Sequence, residues 1–133
     1  MSDMIKSILY GVVCWLPLLA SASPHIACHY TYGGESKTHL VQPTKQPYDI
    51  APIQIGSYFT FRVVWQTEPS DLAHIKIYTY ADQEQGQVLI QQVSYPYPLP
   101  ATSAKGYGFT GKQRVYEPVR DGELEYWCEL ETK

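Results

Sequence analysis

The residues best able to do chemistry in this chain are four histidines (His25, His29, His39 and His74), three cysteines, and late carboxylates at Glu117, Asp121, Glu123, Glu125, Glu129 and Glu131. Imidazole nitrogen with carboxylate oxygen is a donor set that suits zinc and copper. His25 and His29 are the closest pair in sequence. Four residues apart on one extended strand, they are separated by roughly 13 Å, too far to share an ion at about 2 Å per bond without a bend. An amino-terminal copper chelate is also disfavoured, because Pro24 lacks the amide proton that such a chelate surrenders. A periplasmic copper or zinc protein using His25 and His29 is therefore the alternative, and surface or capping histidines with no cofactor are the first expectation. Three or more of these histidines and C-terminal acids within about 5 Å of a common point would favour the metal.

Covalent chemistry has less to build on. Ser, His and Asp all occur, but no serine sits in a nucleophile elbow. Carboxylates that share one strand face point into water, which supplies no buried acid for glycoside cleavage. The expectation is a non-enzymatic protein.

Aromatic residues offer more than either, with 12 tyrosines and 3 tryptophans in 133 residues. Tyr78 and Tyr80 on a strand, Tyr95 and Tyr97 in a proline-rich loop, and an outward Trp127 are the candidate contact surface, since Tyr and Trp bury large area at low entropic cost. The expected partner is another macromolecule, a protein before a sugar; a carbohydrate-binding module would need coplanar rings flanked by Asp, Asn or Gln. The net charge of −3 offers no basic footprint for nucleic acid or anionic lipid.

The elements that must hold these groups begin with an apolar run over residues 8–20. It is long enough for a signal-peptide core and short of the roughly 20 residues a membrane span needs. Ala20, Ser21 and Ala22 fit a small-x-small cleavage site. We expect a signal-peptide helix over 1–22 lying outside the fold, a single domain over 23–133, export to the periplasm or beyond, and no membrane anchor after cleavage. Removing the leader removes Cys14 and leaves Cys28 and Cys128, an even pair for an oxidising compartment.

Both cysteines lie in alternating segments. Ile26, Cys28, Tyr30 and Tyr32 share one face, as do Leu124, Tyr126, Cys128 and Leu130, with Glu123, Glu125, Trp127, Glu129 and Glu131 opposite. Such alternation is that of half-buried β-strands, so a disulfide joining the first and last strands is expected. Phe59, Phe61, Val63 and Trp65 mark the strongest core strand, and Ile75, Ile77 and Thr79 face away from His74, Lys76, Tyr78 and Tyr80 on the next. Val88, Leu89 and Ile90 run consecutively, which suggests cover on both faces. Prolines at 43, 47 and 52 punctuate an edge or crossover, those at 96, 98 and 100 an extended loop, and a strand resumes at Phe109. Six to eight short strands separated by Gly, Pro and Asp clusters, with no helical period in the mature chain, predict an all-β fold. A small antiparallel β-sandwich of immunoglobulin-like architecture is the first choice and a small β-barrel the second.

Overall fold

The computed structural model describes residues 10–17, 23–101 and 106–132. Eight strands build the fold: β1 (His25–Tyr32), β2 (Glu35–Val41), β3 (Ile53–Ile55), β4 (Phe59–Gln66), β5 (His74–Gln83), β6 (Gly86–Pro96), β7 (Gln113–Glu117) and β8 (Gly122–Glu131). They form two antiparallel four-stranded sheets, ordered β2-β1-β8-β7 and β3-β4-β5-β6. The chain is all-β, as the alternation requires, and the sheets pack as a sandwich rather than closing into the alternative barrel. The middle of the chain makes one sheet and its two ends make the other. That order is not the interleaved one of immunoglobulin domains, whose conserved disulfide also crosses between sheets; Cys28 and Cys128 are neighbours within one sheet.

Residues 10–17 are exposed and form neither helix nor strand. The expected signal-peptide helix does not cover them, and the rest of the expected leader, with the small-x-small segment at Ala20, Ser21 and Ala22, lies outside the described residues.

The core sits between the sheets. Phe59, Phe61, Val63 and Trp65 of β4, with Ile75 and Ile77 of β5, meet Ile26 and Cys28 of β1 and Leu124, Tyr126 and Cys128 of β8. The Phe61 and Tyr126 rings lie 5.0 Å apart, and Tyr32 meets Phe59 edge-on at 5.6 Å. Tyr126 is fully buried, so its hydroxyl needs a partner; it donates to Gln91 Oε1 across the interior at 2.7 Å. Burial, with a smaller contribution from Tyr95, pushes that phenol far above its usual range.

β4 is buried on both faces because the proline-rich connection after β2 crosses from one sheet to the other and lies over it. Arg62 clamps the crossing: Nε donates to the Ile50 carbonyl at 2.8 Å and Nη2 to that of Pro47 at 2.6 Å. Glu117 also departs from the solvated acidic face expected of it. It is fully buried, and its carboxylate accepts the Val119 and Arg120 amides at 2.8 and 3.1 Å, pinning the β7–β8 turn.

β6 corrects two further expectations. It runs on through Tyr95 and Pro96, paired with Ile75 and His74. Proline is tolerated there because β6 is an edge strand, where its missing N–H costs no ladder bond on the open side. The Val88–Leu89–Ile90 run is not covered on both faces, since Val88 and Leu89 are 42% and 45% exposed. The register shifts between Thr79 and Tyr80, whose partners are Gln91 and Leu89, so Ile90 is the extra residue of a β-bulge and the alternation slips by one.

Candidate functional site

The site grows from the pairing of the chain's two end strands. β1 and β8 run antiparallel with Cys28 directly opposite Cys128. The Cys128 amide donates to Thr110 Oγ1 at 2.9 Å, and its carbonyl accepts the Phe109 amide at 3.0 Å. In an antiparallel ladder the two polar groups of a residue point to the same side. Those of Cys128 point away from β1, so the cysteines form a non-hydrogen-bonded pair, the position where Cα atoms approach to about 4.5 Å. Their Cα atoms are 4.1 Å apart and the disulfide is formed. Phe109 therefore does not resume a strand as the sequence suggested; β7 begins at Gln113, and residues 106–111 seal the edge of β8 instead. Gly108 permits that approach: its φ is +65°, and a Cβ there would fall 2.0 Å from the Cys128 carbonyl oxygen.

With the cysteines turned inward, alternation sends their neighbours out. The outer row of β1 is His25, Ala27 and His29, and opposite it on β8 stand Glu131, Glu129 and Trp127. Small Ala27 leaves room for Glu129 to lean diagonally toward His29. The result is two imidazole–carboxylate pairs, His25 Nε2 with Glu131 Oε2 at 2.6 Å and His29 Nε2 with Glu129 Oε2 at 3.0 Å. Donor atoms of His29, Glu129 and Glu131 all lie within 4.8 Å of one another. The remaining imidazole nitrogens are also held: His29 Nδ1 lies 2.9 Å from Thr38 Oγ1, and His25 Nδ1 is 3.4 Å from the Ser23 carbonyl.

Trp127 closes one end of this group. Its ring lies 4.3 Å from that of His29, tilted by 34°, and Tyr107 meets it edge-on at 5.8 Å. Beside them opens a cleft of about 440 Å³, lined by Leu99 and Pro100 from the proline-rich segment and by Tyr107, Phe109, Trp127 and Glu129. Lys112 stands 5.0 Å from the Tyr107 ring and 3.1 Å from Glu125. Its hydrogen bond, joined by one from Arg114, holds the Glu125 carboxyl below the usual range.

The expected aromatic platform is divided among three places. Tyr78 and Tyr80 are half-buried on the outer face of the other sheet, near-parallel at 6.4 Å, with the Arg62 guanidinium 5.3 Å over Tyr78. Tyr95 and Tyr97 are half-buried and pack inward against the core, edge-on to Phe109 at 5.1 Å and to Trp65 at 5.3 Å. Only Trp127 is on the outer face of the terminal strands. The histidines divide similarly. His25 and His29 join the candidate group, His39 lies opposite Cys28 on the inward face of β2, and His74 Nδ1 donates to the Leu72 carbonyl, 2.6 Å away, on the far sheet. His39's burial lowers its pKa. Sequence reasoning included the C-terminal acids as a class but did not single out Glu129, Glu131 or Tyr107. Alternation marks the outward face of each strand, whereas only register says which outward residues meet.

Comparison with protein-family models, with curated proteins and with solved structures found no match.

Proposed function

We propose that the chain is an exported, non-enzymatic binding protein, periplasmic or secreted, which contacts another protein through the outer face of β1 and β8. In this reading residues 1–22 are a removed signal peptide and 23–133 the working domain. The observation that carries it is the 440 Å³ cleft at Trp127, where a half-buried indole, Tyr107 and the proline-rich segment meet on a strand pair fixed by the disulfide. Aromatic anchors beside a preformed pocket on a rigid support are what concentrate binding energy in interfaces. A disulfide is compatible with an oxidising compartment, and among the described residues no helix is long and apolar enough to cross a membrane. The carbohydrate alternative has less support, because one ring of its natural pair, Tyr78, already carries a guanidinium.

Capture from cell-envelope extract with wild type, Trp127→Ala and Tyr78→Ala tests the placement. The partner held by wild type is lost from the first variant and kept by the second. Equal capture by all three, with melting temperatures unchanged, would remove the cleft from the account.

A further inference from the structure

We infer that the same outer face is a divalent-metal site of the zinc or copper class, with His29, Glu129 and Glu131 as ligands and His25 as the positioning residue for Glu131. The inference deepens the reading of that face as the ligand-contacting surface. Three features carry it. Donor atoms of the three ligands already lie within 4.8 Å of one another, whereas around an ion with bonds of about 2.0–2.2 Å they would sit within about 3.5 Å. Small side-chain rotations close that difference, and the backbone beneath is held by the disulfide flanked by His29 and Glu129.

The second feature is the anchoring of the imidazoles. A ligating histidine commonly has its other nitrogen held by a carbonyl, carboxylate or water, which fixes the ring and directs the free nitrogen at the ion. His29 Nδ1 meets Thr38 Oγ1 and His25 Nδ1 faces the Ser23 carbonyl, so both Nε2 atoms are aimed at carboxylates.

The third is the arrangement at His25, where both ring nitrogens face acceptors, the Ser23 carbonyl and the Glu131 carboxylate. His25 Nε2 meets one Glu131 oxygen at 2.6 Å and so orients that carboxylate, leaving its other oxygen for the metal. The two ligating carboxylates match a divalent charge, and an imidazole nitrogen among them selects zinc or copper over calcium or magnesium.

The test uses exported protein purified without a histidine tag, stripped with chelator and titrated with Zn²⁺ or Cu²⁺ by calorimetry, with bound metal counted after dialysis. One ion per chain is expected. His29→Gln and Glu129→Gln weaken binding at least 100-fold, and His25→Gln about 10-fold, as loss of an outer-shell partner does. His74→Gln changes nothing. Cu²⁺ at the site quenches Trp127, and this quenching disappears in His29→Gln. Unchanged melting temperatures of the metal-free variants separate ligation from folding. No binding by wild type, or binding that survives His29→Gln and Glu129→Gln, overturns the inference. If metal binding fails while Trp127→Ala still loses the protein partner, the metal site falls and the interaction face stands.

Discussion

Replacing both Cys28 and Cys128 with alanine should weaken the fold by about 4–5 kcal/mol, nearly all of it through the unfolded chain. The bridge closes a loop with a sequence separation of 100, and the chain-entropy treatment assigns about 4.7 kcal/mol to a loop of that size. The folded state should lose little, because register pairs from His25 with Glu131 through Thr31 with Glu125 hold the two strands without the sulfurs. Alanine is the right replacement: a serine hydroxyl at either fully buried position would add the cost of an unpaired polar group. Domains of this size have roughly 5–15 kcal/mol of net stability, so the variant should still fold with a thin margin. Its melting temperature should fall by about 15–25 °C at the slope usual for small domains. Urea unfolding of oxidised wild type and the double variant measures the loss, with a steeper denaturant dependence expected for the unlinked chain, which exposes more surface when unfolded. A loss under about 1 kcal/mol, with the disulfide verified in the wild type, would refute the claim that closing the chain's ends is a main source of stability.

The pH dependence of stability should carry a signature of His39, whose imidazole burial lowers from its ordinary 6.5. As pH falls through about 6.5 the unfolded chain takes up the proton first, so the unfolded state binds more protons and stability drops until the folded pKa is passed. His39→Gln should flatten the fall in melting temperature between pH 7.5 and 5, and identical slopes would count against the burial. Glu125 acts in the same sense at lower pH, its lowered carboxyl contributing stability that is present above its ordinary 4.5 and lost as pH falls through the folded value. Gly108→Ala should cost about 2–3 kcal/mol, because it combines a left-handed backbone with a clash against the Cys128 carbonyl. Trp127 emission should shift to the red as the sealing segment lifts, and a silent substitution would mean that residues 106–111 do not bind the edge of β8 as described.

Sequence and structure agree where one face of a strand decides the outcome. Leu124, Tyr126 and Cys128 are buried, and Glu123 and Glu125 are not, because a strand with one buried face cannot slip by a residue without inverting every side chain. The disulfide was legible for a related reason: both cysteines lie on the inward parity of their strands. Proline hides the parity of a strand. Tyr95 and Tyr97 continue the inward set begun by Val93, but Pro96 and Pro98 read as the end of a strand unless β6 is known to be an edge. The bulge at Ile90 is likewise invisible without the partner strand. The site itself shows the deepest limit. His25 and His29 are too far apart to share an ion unaided, and nothing in their spacing reveals that Glu129 and Glu131, about 100 residues later, pair against them.

The most direct test of the account is a long-range proton–nitrogen correlation spectrum of the imidazoles, recorded on the metal-stripped protein before and after one equivalent of Zn²⁺. The Nε2 resonance of His29 should move with ligation and those of His39 and His74 should stay in place. Movement at His74 instead, or no movement at any histidine, would contradict the claim that the joined end strands present a metal-holding face.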